Sequence, residues 1–476
     1  MELAIPGPPS LPFLGNALSF LNVKDDLLER LFQLWGRQQH LSRFSLCGHL
    51  LVFVSDPADI EQLIRCKATQ NKARTFYDNL EYFTHDGLVT LNGAKWRAHR
   101  RAIQPAFYQD ILDKYCAAYV ARIRGGAAAQ DIGEGLRLAV ASAFLRTTLT
   151  LDKDDEEQAR QFDRLLPLLM SALKVVPSAV MRRTVMPWLW PDWLFSRTAS
   201  GRLLRRLREL IDAECDIGLQ RIHRQQAAGD LFFRKGRTLF EILQDSSAAG
   251  ALTDEDIRNE LTILTAAGVE TTSASLSWTL KVLSVRPDVQ QRLLLEAKEV
   301  LGESKTVSAH HIARLQYTGR VIKESLRLLP SVPIIARTNR KETVFGGHAI
   351  PQGSTFLVNM NGAHRDPRHW QEPLRFDPDR FLPERSAGRH PYAYVPFSVG
   401  SRNCVGTKYA VAVMKTLLVN VVLAFNVDPV DDGLTDPGQF PMTFDVASRM
   451  PGPTRVVFRA RALENDYQHG SVQNKA

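Results

Sequence analysis

Apolar residues recur every three or four positions in many stretches of the chain, which is the spacing of one face of an α-helix. The clearest such runs cover residues 27–34, 203–211 and 414–422. Alternating or β-branched runs are fewer, and the best two, residues 50–54 and 355–359, are each bounded by turn-forming residues. The pattern predicts a mainly α protein with a small β-sheet portion.

One predicted helix is unusually long. Thr253 and Asp256 have the spacing of a capping box, and Pro287 enforces a stop some thirty residues later. Between these signals, residues such as Leu264 and Gly268 fall near one face of the helix. At 1.5 Å per residue the helix would extend for roughly 45 Å, so we expect it to cross an entire domain.

The two ends of the chain differ from the rest. Residues 3–23 carry no charge, but four prolines between positions 6 and 12 break helical hydrogen bonding. We therefore expect residues 1–20 to form an extended Pro-rich strap, and the sequence to carry no membrane anchor of its own. Residues 461–476 are polar and are predicted to be a solvated tail.

Composition and charge limit the class of protein. Apolar and charged residues are mixed along nearly all of the 476 positions, which is typical of a globular chain and excludes disorder. The net charge of +9 suits an acidic partner or an anionic membrane. No long basic block with interleaved aromatics occurs, so we expect no nucleic-acid partner. Five cysteines without a CxxC pair argue against a disulfide framework and a zinc site.

The most specific motif is FxxGxRxCxG over residues 397–406, just ahead of a long apolar helix. A cysteine at a helix N-terminus is stabilised as a thiolate, which favours Cys404 as a metal ligand. Gly400 and Gly406 are expected to let the backbone lie close against a flat ligand. The combination suits an axial thiolate on haem. A buried structural cysteine is the alternative if Cys404 is taken singly.

With this motif the chain resembles the cytochrome P-450 superfamily of haem-thiolate monooxygenases over nearly its whole length. The resemblance implies the cytochrome P-450 fold, a large helical domain with a small β-sheet portion, and haem b buried between the long central helix and the cysteine loop. The implied haem contacts run from Trp96 to Cys404, so we expect residues 1–460 to form a single domain.

A WxxxR motif is implied by the resemblance to hold the haem propionates through Trp96 and Arg100, together with Arg337 and Arg402. Charge-assisted hydrogen bonds from arginine to carboxylate are strong and directional, so these donors suit two propionates. The other haem-binding residues that the resemblance implies are Ala267, Gly268, Phe397, Gly400, Cys404 and Gly406.

Glu324 and Arg327 form an ExxR motif, whose spacing places an acid and a base on one helical face. The resemblance implies that this pair and Arg380 lock the core beneath the haem, which is a structural role. An ordinary surface ion pair is the alternative for the motif in isolation.

Residues 267–272 have the sequence AGVETT and resemble the family's oxygen-binding segment. Gly268 is expected to open room against the haem, and the Thr271 hydroxyl can bond back into its own helix. Glu270 and Thr271 form an acid–alcohol pair that can relay protons for dioxygen cleavage, so these two are the predicted catalytic residues. Thiolate ligation pushes electron density toward the O–O bond.

Residues 364–367 and 386–396 look most like the animal fatty-acid ω-hydroxylase branch, the fourth family of the superfamily. Many members of that branch have a Glu at the position of Ala267, and that Glu can esterify a haem methyl group. Ala267 excludes a covalent haem by that route. The expected substrate therefore stays broad and includes fatty acids, hormone-like lipids and xenobiotics.

The chain has no GxGxxG nucleotide fingerprint, so electrons from NADPH are expected to arrive through a separate, acidic NADPH-cytochrome reductase. Arg97, Arg101 and Lys408 are the predicted contacts. Two other activities stay open: a haem-thiolate isomerase or dehydratase that needs no reductase, and a non-catalytic haem-binding protein.

A Trp-rich stretch, residues 188–195, followed by four arginines, predicts peripheral membrane contact on the cytosolic face of the endoplasmic reticulum. A helix corner packed on the core, and with it a cytoplasmic location, is the alternative. The arginines and apolar residues concerned are Trp188, Trp190, Trp193, Leu194, Phe195, Arg202, Arg205, Arg206 and Arg208.

Overall fold

The structure is a computed structural model. The residues that it describes are 5–20, 41–107, 128–149, 155–227, 252–304 and 307–461, together with positions 123, 151, 239, 242, 243, 245 and 250. The amphipathic run predicted at residues 27–34 and the polar tail after residue 461 lie outside the described residues.

Helices dominate the described part of the chain, so the predicted mainly α architecture is confirmed. Fourteen α-helices occur there, numbered α1 to α14 in chain order: Pro57–Arg65, Arg74–Thr84, Gly93–Ile103, Ile132–Leu149, Glu156–Val185, Asp192–Phe195, Ala199–Ala227, Asp254–Val285, Pro287–Leu301, Ala309–Arg314, Gln316–Leu328, Met360–Ala363, Pro383–Ser386 and Thr407–Ala424.

The strands are short and form four small sheets within the described residues. They are numbered β1 to β12: Leu41–Leu46, His49–Val54, Asn71–Lys72, Gln130–Asp131, Ile334–Thr338, Thr343–Phe345, His348–Ile350, Thr355–Asn359, Phe425–Asp428, Thr443–Phe444, Ser448–Arg449 and Arg455–Ala460. The largest sheet has the order β1-β2-β8-β5-β3, in which only β2 and β8 run parallel. The two strands predicted from sequence are the neighbours β2 and β8.

The predicted long helix is confirmed as α8, which has 32 residues and is therefore about 48 Å long. Its capping box is complete, because the Asp256 N–H donates to Thr253 Oγ1 at 3.1 Å and the Thr253 N–H donates to Asp256 Oδ2 at 3.0 Å. Helices α4, α7, α9, α11 and α14 all pack against α8. This helix is therefore the central element of the hydrophobic core.

Both faces of the five-stranded sheet are buried. Val54, Phe356 and Val358 belong to one apolar cluster, whereas Phe53 and Leu357 belong to another. Successive residues of a strand point to opposite faces, so the sheet separates these two clusters. The buried strands therefore have nearly continuous apolar sequences.

Gly268 on α8 faces the neighbouring helix α4. A Cβ atom at this position would lie 2.7 Å from Cε2 of Phe144 on α4. The missing side chain therefore lets α4 approach α8 closely, and the opening of room against a haem by Gly268 stays a prediction.

The ExxR residues form a fully buried ion pair on α11. Arg327 donates to both carboxylate oxygens of Glu324, at 2.7 and 2.8 Å, and neither side chain is exposed. Arg380 Nε lies 3.3 Å from Glu324 Oε1, and the Asp377 N–H donates to the same oxygen at 2.9 Å. Arg327 also donates to the carbonyl of Pro373. These contacts exclude a surface ion pair and tie α11 to the segment after β8.

Replacing Glu324 by Gln should lower the free energy of unfolding by about 3–5 kcal/mol, because it leaves Arg327 buried without its charged partner. Urea denaturation followed by circular dichroism measures this change. Glu372→Gln is the matched control, since it breaks an exposed pair with Arg375 at 3.0 Å and should cost less than about 1 kcal/mol. Equal losses in the two variants would contradict this account of the ExxR pair.

Candidate active site

A cavity of about 380 Å³ runs between α8 and the cysteine loop, residues 396–406. The structure brings ten of the predicted site residues to its wall: Trp96, Arg100, Ala267, Gly268, Glu270, Thr271, Phe397, Arg402, Cys404 and Gly406. Five others are not part of the described cavity wall: Arg337, Gly400, Glu324, Arg327 and Arg380.

Cys404 is held by the start of α14 and faces the cavity. Its N–H donates to the Phe397 carbonyl at 2.9 Å, and its own carbonyl accepts from Thr407 Oγ1 at 3.0 Å. Burial raises the pKa of the Cys404 thiol, although the Gly406 N–H and the Thr407 hydroxyl act to lower it. The stabilisation of a Cys404 thiolate by the helix N-terminus therefore stays a prediction. A bound cation would reverse the balance.

The two glycines of the cysteine loop serve different purposes. Gly400 has φ +78°, a left-handed conformation that favours glycine, and a Cβ there would lie 2.7 Å from Cγ2 of Ile64 on α1. Gly400 therefore allows a turn against α1 and does not line the described cavity, so its contact with a flat ligand stays a prediction. Gly406 does line the cavity, as the N-cap residue of α14.

Two arginines form hydrogen bonds that connect the cysteine loop to α3 and to Asn92, the residue before α3. The Arg402 guanidinium lies 3.9 Å from the centre of the Trp96 ring and donates to Asn92 Oδ1 at 2.8 Å. Arg100 donates to the Asn403 carbonyl at 2.7 Å and to Asn403 Oδ1 at 2.9 Å. The motif around Trp96 thus positions the loop that carries the cysteine.

Lys72 and Tyr77 are cavity residues that sequence reasoning missed. The pairing of β3 with β5 places Lys72 opposite Arg337, and the Lys72 ammonium lies 4.2 Å from the centre of the Tyr77 ring. Arg337 is buried beside Tyr77 rather than on the cavity wall. No motif marks Lys72, because only strand pairing brings it to this place.

Three cations lie close together in a region largely shielded from solvent: Lys72, Arg337 and Arg402. We call these three residues the cation cluster. Burial, with the nearby charges of Arg337 and Arg402, lowers the pKa of Lys72 to about 8. Burial and the charges of Arg337 and Arg100 lower the pKa of Arg402 to about 9. A bound dianion would relieve this repulsion. The donor set therefore fits haem b, with Cys404 for the iron and the cations for the two propionates.

The predicted acid–alcohol pair also lies at the cavity. Thr271 Oγ1 donates to the Ala267 carbonyl at 2.8 Å, so the predicted bond back into the helix is confirmed. Glu270 Oε2 lies 3.3 Å from Nε of Arg137 on α4. Burial and the charge of Asp445 raise the pKa of Glu270, and the charge of Arg137 opposes this rise.

Comparison with known proteins agrees with this site. A sequence model of the family described as Cytochrome P-450 matches residues 5–454. Cytochrome P-450 4c3 of Drosophila melanogaster is 30% identical over an alignment of 458 residues. The alignment covers 90% of this chain and 84% of the relative. Cytochrome P-450 4V2 of Mus musculus is 29% identical over an alignment of 447 residues, which covers 88% of this chain and 83% of the relative. The resemblance to the fourth family is thereby confirmed. The chain belongs to the cytochrome P-450 family and is a haem-thiolate monooxygenase.

Proposed function

We propose that the protein inserts one oxygen atom from dioxygen into a lipophilic molecule, with electrons from NADPH delivered by a separate reductase. Fatty acids, hormone-like lipids and xenobiotics are the candidate substrates. The observation that carries this proposal is a single, mostly apolar cavity that brings Cys404 together with a cation cluster and the Glu270–Thr271 pair. Glu270 and Thr271 are the proposed catalytic residues.

The proposed haem site uses residues from widely separated parts of the chain. Cys404 Sγ would bind the iron, and Lys72, Arg100 and Arg402 would bind the propionates. Arg337, which is buried beside Tyr77 and off the cavity wall, would add positive charge near the propionates without lining the cavity. When bound, haem supplies the iron centre at which dioxygen is reduced and its O–O bond is cleaved.

We further propose that residues 1–460 form one domain, with residues 1–20 as its strap and residues 461–476 as a tail. The support is that the cavity wall draws residues from α2 near the start of the chain and from the β10–β11 turn near its end. A cut between these elements would divide the wall.

Glu270 and Thr271 would supply a proton to the cavity. The Thr271 hydroxyl, held by the Ala267 carbonyl, would release its proton into the cavity and take another from the Glu270 carboxyl group. The raised pKa of Glu270 favours the protonated carboxyl that this transfer needs. Arg137, which is partly exposed, would connect Glu270 to solvent.

The decisive measurement is turnover of a panel of fatty acids, terpenoids and lipophilic drugs with reductase and NADPH. We expect NADPH-dependent oxygenated products from the unaltered enzyme and none from Cys404→Ala. Cys66→Ala is the matched control, because Cys66 is a free cysteine that does not line the cavity. Products formed without NADPH would indicate an isomerase or dehydratase, and no product despite bound haem would indicate a carrier.

The proposed reductase site is the surface around α3 and the start of α14. Arg97, Arg101 and Lys408 are all exposed there, on the same elements that position the cysteine loop. An acidic partner is favoured because complementary charges steer association and fix its orientation.

Replacing Arg97, Arg101 and Lys408 together by Gln should raise the reductase concentration needed for half-maximal turnover severalfold at low salt. The effect should shrink as salt screens the exposed charges. Lys341→Gln, which removes an exposed charge between β5 and β6, should leave this concentration unchanged. Unchanged kinetics of the triple variant at low salt would contradict the proposed docking site.

Part of the predicted membrane-contact stretch belongs to the core instead. Phe195 is buried, and its ring packs against Tyr82. Arg208 is also buried, where it donates to Asp212 at 2.8 Å and to Asn259 at 2.7 Å. The prediction that these two residues face the lipid is therefore wrong.

The rest of this stretch supports peripheral contact with the cytosolic face of the endoplasmic reticulum membrane, which we propose over a cytoplasmic location. Trp188 and Trp193 are 45% and 63% exposed, and Arg202, Arg205 and Arg206 are exposed close by in sequence. Exposed indole rings with nearby arginines are typical of a membrane interface.

Two described helices are also long and apolar enough to span a membrane, namely α5 and α14. About half of the most apolar window of each is buried inside the protein, as in a core helix.

Replacing Trp188 and Trp193 together by Ser should lower the fraction of protein that sediments with vesicles of mixed neutral and anionic phospholipid. Leu295→Ser is the matched control, because Leu295 is a 57% exposed apolar residue on α9, outside the Trp-rich stretch. Equal binding of the double variant and the unaltered protein would contradict contact through Trp188 and Trp193.

A further inference from the structure

Few charged side chains line the cavity. Among its described lining residues, the charged ones are Lys72, Arg100, Glu270, Arg402 and Asp445. The three cations belong to the proposed propionate site. Within the described lining, a substrate would therefore meet, besides these cations, only the carboxyl groups of Glu270 and Asp445, and neither can act as a counter-ion to an anion.

The cations that pair with these carboxylates lie behind the cavity wall. Glu270 is paired with Arg137, and Asp445 with Arg449 four residues later. Glu270 and Asp445 line the cavity, whereas neither arginine is part of its wall. The described wall near the β10–β11 turn thus presents acidic rather than basic side chains, so it offers no counter-ion to an anionic ligand.

Most of the remaining wall is apolar, although hydroxyl groups such as those of Thr262 and Ser398 also line it. Helix α5 contributes one face with helical spacing, and its residues there are Leu165, Leu169, Leu173, Val176 and Val180. All five are buried. Helix α2 adds Phe76, Leu80 and Phe83 to the same cavity. None of these side chains can donate a hydrogen bond.

The two threonine hydroxyl groups that α2 and α5 contribute to the wall already donate to their own helices. Thr84 Oγ1 donates to the Leu80 carbonyl at 3.1 Å, and Thr184 Oγ1 donates to the Val180 carbonyl at 2.9 Å. On α7, burial raises the pKa of the Cys215 thiol to about 12. We call the part of the cavity lined by α2 and α5 the apolar lobe. An ionised carboxylate there would have no counter-ion among the described residues of this lobe, and an unpaired buried charge is strongly unfavourable.

We infer that the preferred substrate is a neutral, largely apolar lipid such as a hydrocarbon, alcohol, ester or terpenoid, and that the site discriminates against free fatty acids. This inference rests on the proposed function, because it takes the apolar lobe as the substrate site. It narrows the three candidate classes to their uncharged members.

The test compares ligands that share one chain length and differ in charge. The haem-loaded enzyme is titrated at neutral pH with 1-dodecanol, methyl dodecanoate, dodecanoate and dodecylammonium. Binding is read from the change in haem absorption and, independently, by equilibrium dialysis. The two neutral ligands should bind on the order of tenfold or more tightly than dodecanoate. Dodecanoate binding as tightly as dodecanol, or dodecylammonium binding most tightly, would overturn the inference.

A variant tests the same point by supplying the missing charge. Leu173→Arg places a cation on the apolar face of α5 and should shift the preference toward dodecanoate, whereas the volume-conserving Leu173→Met should not. If Leu173→Arg does not load haem, the ligand series on the unaltered enzyme decides. Haem loading and turnover with equal affinity for charged and neutral chains would contradict only this inference. Failure of the unaltered chain to load haem would contradict the proposed function instead.

Discussion

The crowding of positive charge beside Cys404 is the constraint on which the rest of the structure depends. Burial lowers the pKa values of Lys72, Arg337 and Arg402, and the charge of Arg337 lowers those of Lys72 and Arg402 further. The acidic group that opposes this for all three is the Tyr77 phenol. Such an arrangement is unfavourable unless an anion binds, so the fold must hold these side chains in place. The β3–β5 pairing holds two of them, and the contact of Arg402 with Asn92 holds the third.

Helix α8 lines the other side of the same cavity, across from the cysteine loop. Its Thr271 hydroxyl faces the cavity, while the absence of a side chain at Gly268 lets Phe144 of α4 approach its backbone. Near its C-terminal end, Lys281 is fully buried and lies 2.6 Å from an oxygen of Asp432. One helix therefore carries the proposed proton donors and is fixed along its length by packing and by the ion pair of buried Lys281 with the more exposed Asp432.

The distribution of charge connects the fold to the choice of substrate. Arginines supply most of the buried ion pairs, but those that pair with Glu270 and Asp445 lie outside the cavity wall. Most of the cavity wall is apolar, and its carboxyl groups lie on α8 and in the β10–β11 turn. Specificity in such a site comes from excluding charge as much as from attractive contacts.

The sequence by itself determined the features that depend on local chemistry. The capping box and Pro287 predicted the bounds of α8, the apolar runs predicted β2 and β8, and the FxxGxRxCxG spacing identified the family. Tertiary structure alone decided which distant residues meet. Lys72 reaches the cation cluster through strand pairing, and Gly268 and Gly400 face Phe144 and Ile64. Arg208 is buried although Arg205 and Arg206 are exposed. The reason is that these contacts join residues far apart in the chain, and no local pattern encodes which of them pack together.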